Sequence, residues 1–413
     1  MKSILVVEDS AVVTKVIKHV LSQSPLLEAD YASSFEEAKR CVADKHYFAA
    51  IVDLNLPDAP NGEVVDFTRS QKIPTIVLTS SFDEQRRELM LKKGIVDYVT
   101  KEGRYSYELA RHTIERLIKN TSIKVLVVDD SSAQRKMISQ MLKLHLFHVL
   151  EAENGVDAIK VILQNPDLRL VITDFNMPKM DGFELIKNLR VKYEKSDLII
   201  VGISSEGEGA LSAKFIKYGA NDFLNKPFNQ EEFFCRVNHN IEFIELIEQV
   251  RDTANRDELT GVYNKAYFLK RGEEIYDKAK TSGSLLSLAL IDLDELGEVY
   301  ARQGEELGNQ VLARAAKHLQ SAFSRFLLTR GDGFEFLVML PGLSQEKAVE
   351  YVERVRQLLV DDNIDLPNGA SVQVGYSAGV SAQLGESVGD LVAEANACLT
   401  RSKEAGGGLV VGD

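Results

Sequence analysis

A chain of 413 residues with a formal net charge of −13 is too long for one ordinary core, so two to four domains are expected. Its composition, 45% hydrophobic and 27% charged, is that of a soluble globular protein. The acidic balance, with no Lys/Arg cluster and no helix-turn-helix pattern, argues against a nucleic-acid or anionic-membrane partner. Cys41, Cys235 and Cys398 are scattered, odd in number and without a CxxC, so they suggest half-buried thiols of a cytoplasmic protein and neither a disulfide framework nor a zinc site.

The chain opens with MKSILVVEDS, a short apolar run ending in two acids, which predicts a first β-strand and not a signal peptide. No apolar run approaches the roughly 18 residues of a spanning helix. Four landmarks then repeat in order. ILVVED at 4–9 returns as VLVVDD at 125–130, and IVDLNLPD at 51–58 as VITDFNMPKMDG at 171–182. IVLTSS at 76–81 returns as IVGISS at 200–205, and VDYVTK at 96–101 as NDFLNKPF at 221–228. The offset is 121 residues for Asp9/Asp130 and Asp53/Asp174, and 125 for Thr79/Ser204 and Lys101/Lys226. Two modules of equal size follow one another, with Asn120-Thr121-Ser122 as the seam.

Within each module β-branched runs alternate with amphipathic helical stretches such as FEEAKRCVADK at 35–45. That pattern predicts a doubly wound α/β fold with a parallel sheet covered on both faces, whose ligands sit at the carboxyl ends of the strands. Every landmark ends a predicted strand, so its polar residues converge at one sheet edge. Beyond Phe228 about 28 residues run without Gly or Pro and predict a long helix. Its stripe of Ile241, Ile244, Ile247 and Val250 fits either a coiled-coil seam or packing on its own domain. From Asp257 onward, strand candidates at 286–292, 326–330, 335–340 and 371–380 predict an α+β domain with an antiparallel sheet. The expected division is 1–120, 123–240, a helical linker at 241–256, and 257–413.

Glu8, Asp9 and Asp53 form one set of carboxylates, and Asp129, Asp130 and Asp174 the other. Like charges so close repel unless a cation joins them, and hard oxygen ligands suit Mg²⁺. The third carboxylate of each set can then act as a nucleophile toward a phosphoryl donor. Lys101 and Lys226 can neutralise phosphoryl oxygens, and Thr79 and Ser204 can bond to one.

These sets, in this order and spacing, resemble the receiver domains of two-component response regulators over about 3–118 and 123–245. The resemblance implies flavodoxin-like folds and phosphorylation of Asp53 and Asp174. It also implies Mg²⁺ held by Glu8/Asp9 and Asp129/Asp130, with backbone carbonyl ligands at Asn55 and Asn176. Tyr98 and Phe223 fall where the family has an aromatic that turns inward on phosphorylation. A histidine kinase or phosphotransfer protein is the implied donor, and a homodimer the implied phosphorylated state. The first module departs in having Lys101-Glu102 in place of Lys-Pro.

The third domain resembles the GGDEF domain of diguanylate cyclases through RDELTGVYNKAYF at 256–268, IDLD at 291–294, Gly304/Gly308, YSAG at 376–379 and Lys403. Those enzymes join two GTP molecules into cyclic di-GMP by metal-assisted attack on phosphorus. Here the turn reads DGFEF. Asp292 keeps a metal-ligand position and Leu293 a carbonyl, and Glu335 and Lys403 remain. Phe334 stands at the metal-binding acid, however, and Asp332 at the first turn glycine. Gly297 replaces the triphosphate lysine, Tyr300 and Asn309 the guanine-binding pair, and Gly407 an arginine. The inhibitory RxxD positions read Phe323 and Phe326, two rings expected in a core or interface. The resemblance thus implies a degenerate domain that acts by contact, with a cyclase or an EAL-type phosphodiesterase as output partner by analogy. The alternatives are an active cyclase using Asp292, Asp332 and Glu335, or a GTP sensor without turnover.

Overall fold

The computed structural model describes residues 1–80, 83–205, 209–361, 364–365 and 371–413, with side chains at all of these but 209–211 and 364–365. Ser81, the last residue of the IVLTSS landmark, lies outside them. No described helix is long and apolar enough to cross a membrane. The chain divides into two compact units, Met1–Ile247 and Glu248–Asp413.

The first unit contains both repeated modules. In the first, β1 (Lys2–Val7), β2 (Leu27–Ala32), β3 (Ala49–Asp53), β4 (Thr75–Thr79) and β5 (Asp97–Thr100) alternate with α1 (Ala11–Leu21), α2 (Phe35–Asp44), α3 (Glu63–Ser70), α4 (Glu84–Lys92) and α5 (Arg104–Asn120). The strands are parallel, in the order β2-β1-β3-β4-β5. The second module repeats this with β6 (Lys124–Val128), β7 (His148–Ala152), β8 (Leu168–Asp174), β9 (Ile199–Ser204) and β10 (Asp222–Asn225). Its helices are α6 (Ser132–Leu144), α7 (Gly155–Gln164), α8 (Gly182–Arg190), α9 (Gly209–Lys217) and α10 (Gln230–Ala254), and its strand order is β7-β6-β8-β9-β10. Central strands such as AAIVD and IIVGIS are buried at every position, as helices on both faces of a parallel sheet require. Side-chain caps fix the helix starts: Ser34 accepts from the Glu37 amide at 3.2 Å and Asn154 from the Asp157 amide at 3.1 Å.

The two modules meet along the α4–β5–α5 side of the first. Leu144 and Leu146, at the end of α6, pack against its core. Gln230 donates to the Ile95 and Val96 carbonyls at 3.1 and 3.4 Å, and Arg87 pairs with Glu231. Asn120, fully buried at the seam, donates to the His145 carbonyl at 3.0 Å. Arg116 and Lys119 hold Glu245 at 2.6 and 2.9 Å. Burial pushes the Glu245 carboxyl up, but its two cations outweigh that and hold it below the ordinary range.

The long helix α10 resolves the open question about its apolar stripe. Phe233, Phe234, Val237, Ile241 and Ile244 belong to the second module's core, whereas Val250 is 61% exposed. The stretch from 241 assigned to a linker is therefore in part module core.

The second unit holds α11 (Lys265–Ser282), β11 (Leu286–Leu293), α12 (Leu296–Gln303), α13 (Glu305–Ala322), β12 (Leu327–Arg330), β13 (Glu335–Pro341) and α14 (Gln345–Asp361). It continues with β14 (Ile364–Asp365), β15 (Ser371–Val372), β16 (Tyr376–Ser381), α15 (Val388–Glu404) and β17 (Val410–Gly412). The five-stranded sheet has the order β12-β13-β11-β16-β17 and is antiparallel except for β16–β17. The strand expected at 371–380 is two pieces in different sheets: β15 pairs with β14, and β16 joins the five-stranded sheet. In YSAG, Gly379 is required by close approach: a Cβ there would lie 2.0 Å from the Ala395 carbonyl oxygen of α15. The thiols differ from one another: Cys398 is buried, Cys41 half-buried and Cys235 exposed.

Candidate functional site

Parallel strands bring the first module's landmarks to one edge. Glu8 follows β1, Asp53 ends β3, Thr79 ends β4 and Lys101 follows β5. Glu8, Asp53 and Thr79 are buried, and Asp9 is exposed. Lys101 Nζ lies 2.6 Å from Glu8 Oε2 and 2.7 Å from Asp53 Oδ2. The second Asp53 oxygen accepts the Asn55 amide at 3.1 Å. Burial pushes the Glu8 carboxyl above its ordinary value while the Lys101 bond opposes it. The same burial pulls the Lys101 ammonium down, but its bonds to Asp53 and Glu8 outweigh it and leave it raised. Glu8, Asp9 and Asp53 each present an oxygen within 4.8 Å of the others, an all-carboxylate donor set that fits a hard divalent cation. Tyr98 is turned inward and buried. Its phenol is pushed up by burial, against the pull of the Thr79 hydroxyl and the Arg86 guanidinium.

The second module repeats the arrangement with differences. Lys226 Nζ lies 2.6 Å from Asp174 Oδ1 and 3.0 Å from Asp129 Oδ2. Asp174 Oδ2 accepts the Asn176 amide at 2.9 Å, and Asp129 Oδ1 the Ser131 amide at 2.8 Å. Burial pushes the Asp174 carboxyl up against the opposing pull of Lys226. Ser204 is buried, and Phe223 is buried with its ring 5.0 Å from that of Phe215. Asp130 is exposed. Among the described residues Glu8, Asp9 and Asp53 form a three-acid group within 4.8 Å, whereas Asp129, Asp130 and Asp174 do not, so the two carboxylate sets expected to match are not equally tight.

In the third domain Asp292 and Glu335 face each other across the β11–β13 ladder. Asp292 is ion-paired with Lys403 of α15. Burial pushes the Glu335 carboxyl up, and the neighbouring Asp292 charge adds to it. Asp332 points to solvent, its side chain 77% exposed and 2.5 Å from Lys265. Phe334 packs on Tyr300 with ring centroids 5.2 Å apart. The Tyr300 hydroxyl donates to Asn309 Oδ1 at 2.5 Å. A Cβ on Gly308 would lie 2.5 Å from the Tyr300 ring, so that ring occupies the space over the start of α13. Among the described residues Asp292, Asp332 and Glu335 do not form a three-acid group within 4.8 Å. Phe323 is buried, and both it and Phe326 lie against the Tyr351 ring at 5.7 and 5.6 Å.

Comparison with known proteins decides the family. The response regulator receiver domain matches residues 4–108 and 125–238, and the diguanylate cyclase, GGDEF domain, matches 254–408. The chain belongs to the receiver and GGDEF families. A solved two-component system response regulator/GGDEF domain protein is 42% identical with a TM-score of 0.55, covering 59% of this chain and 100% of that one. Response regulator PleD of Caulobacter vibrioides is 26% identical over 302 residues, 70% of this chain, and the chain spans 65% of that relative's length. A chemotaxis protein CheY homolog of Campylobacter jejuni is 41% identical over 110 residues, 26% of this chain and 85% of that protein.

One residue at the first receiver's site is absent from the repeated landmarks. Arg86 of α4 donates to Asn55 Oδ1 at 2.8 Å and to the Pro60 carbonyl at 2.9 Å. The repeat holds a signal for it: at the 125-residue offset the second receiver has Leu211, so the two receivers differ there in charge.

Proposed function

We propose that this chain is a phosphorylation-dependent response regulator whose receivers accept phosphoryl groups on Asp53 and Asp174. In each, a carboxylate oxygen attacks the donor's phosphorus, and the bond from phosphorus to the donor breaks with its electron pair leaving on the donor. Lys101 and Lys226, already bonded to the accepting carboxylates, compensate the added negative charge. A Mg²⁺ ion held by Glu8, Asp9 and Asp53, and by Asp129, Asp130 and Asp174 in the second receiver, would shield charge during transfer; the Asn55 and Asn176 carbonyls complete the proposed sets. Thr79 and Ser204 then bond the phosphoryl group, and Tyr98 and Phe223 carry the change to the surface. A histidine kinase or phosphotransfer protein supplies the phosphoryl group.

The GGDEF domain, in this proposal, does not turn over GTP and acts by contact in cyclic di-GMP signalling, on a cyclase or an EAL-type phosphodiesterase. The observation that carries this is the Tyr300 ring, seated on Gly308 and bonded to Asn309. The two positions at which the family holds guanine bind each other. Phe334 beside it offers a cation no oxygen, and Lys403 neutralises Asp292 internally. Losing one partner of a desolvated charged contact costs about 2–5 kcal/mol, and about 1.4 kcal/mol is a factor of ten in affinity, so losses at metal, phosphate and base together leave no effective site. Calorimetric titration with GTP and Mg²⁺ is expected to give no saturable heat; a saturable isotherm of one GTP per chain would defeat the reading.

A further inference from the structure

We propose that Arg86 is a clasp over the phosphoacceptor of the first receiver, a positioning residue that slows hydrolysis of a phosphoryl group on Asp53. The inference rests on the reading that Asp53 is phosphorylated and concerns what happens to that group afterwards.

Three elements meet on this one side chain. The backbone of Arg86 is fixed at the start of α4, where Asp83 accepts the Gln85 and Arg86 amides at 3.0 and 3.2 Å. Its guanidinium bonds two points of the β3–α3 loop, Asn55 Oδ1 and the Pro60 carbonyl. That loop is itself closed by a Leu56–Ala59 bridge, and its Asn55 amide bonds the reacting carboxylate at 3.1 Å. Tyr98 of β5 lies close enough for the Arg86 charge to act on its phenol. A planar guanidinium can span two acceptors at once, which an ammonium or an amide cannot do with the same geometry.

Hydrolysis needs a water oxygen to bond to phosphorus as the bond from phosphorus to the Asp53 oxygen breaks. The carboxylate keeps that electron pair, the water's proton passes to solvent, and inorganic phosphate leaves. Lys101 bonds one Asp53 oxygen and the Asn55 amide the other, and in this proposal Arg86, held on the Asn55 side chain, covers the approach left between them. Water must displace the clasp to enter. The second receiver carries Leu211 at the corresponding position, so the clasp is proposed for the first site alone, and the two sites are expected to differ in persistence within one molecule.

The test follows phosphoryl lifetime in the full chain after loading with acetyl phosphate and removal of the donor. Asp174→Asn isolates the signal of Asp53, and Asp53→Asn isolates that of Asp174. Arg86→Ala is expected to shorten the Asp53 lifetime about tenfold, equivalent to about 1.4 kcal/mol of barrier, and to leave the Asp174 lifetime unchanged. Arg86→Lys, which keeps the charge and loses the fork, is expected to shorten it as well. An unchanged or longer Asp53 lifetime, equal shortening at both sites, or full function in Arg86→Lys would overturn the clasp. Failure of the Arg86-intact protein to take up any label at Asp53 would sink the phosphorylation reading, and the clasp with it.

Discussion

Lys101 shows what one side chain carries at a buried acidic site. It bonds Glu8 and Asp53 together, so its removal leaves two buried carboxylates without their cation. Breaking such a pair on one side costs about 3–5 kcal/mol. Lys101→Met is therefore expected to lower the thermal midpoint of the first unit, with Mg²⁺ restoring much of the loss; an unchanged midpoint would contradict the pairing. In the GGDEF domain one comparable position is Gly308, in the first turn of α13. Gly308→Ala places a methyl 2.5 Å from the Tyr300 ring and is expected to cost about 1–3 kcal/mol by overpacking. The cost should fall sharply in a Tyr300→Ala background, a coupling that a double-mutant cycle on the second unit's unfolding reads directly. The sequence displayed Tyr300 and Asn309 as two separate losses. Their bond to each other was not legible, because nothing in a linear pattern says that two substituted groups fill the space they vacated.

At the scale of elements, the module joint turns on a buried histidine. His145 stacks on Phe234 of α10 with ring centroids 3.3 Å apart, and burial pushes its pKa from 6.5 down to about 3. Between those values the unfolded chain binds a proton that the folded chain does not. Stability therefore falls as pH drops through that window, by up to about 1.4 kcal/mol per pH unit. Denaturant unfolding of the first unit at pH 7 and pH 5 should show this loss, and His145→Gln should reduce it; an equal loss in the variant would contradict the assignment. On α10, Ile244→Ala is expected to cost about 2–5 kcal/mol, whereas Val250→Ala should stay within about 0.5 kcal/mol; comparable midpoint shifts would contradict the division of its stripe. That division was hidden in the sequence. Ile241, Ile244, Ile247 and Val250 keep one period throughout, and periodicity reports a face without reporting what covers it. The alternation of strands and helices in the modules was legible because burial on both sheet faces leaves continuous apolar strands such as AAIVD. The Arg86–Asn55 contact was not, since it joins residues 31 apart and Arg86 lies outside the repeated landmarks.

For the whole molecule, the chain-wide pattern of four landmarks repeated twice made the receivers readable, and the ordered GGDEF motifs made the third domain readable despite its substitutions. Two receivers with acids, lysines and inward aromatics in place are followed in the chain by a GGDEF domain in which Tyr300 packs on Gly308 and bonds Asn309. The central claim is that the first two domains receive a signal chemically and the third relays it by contact. It is tested most directly by measuring cyclic di-GMP formed from GTP and Mg²⁺ by the full chain, before and after loading with acetyl phosphate. The account predicts no product in either state. Product that appears with phosphorylation would contradict it, and would mean that Tyr300 and Phe334 leave the nucleotide site when the receivers are phosphorylated.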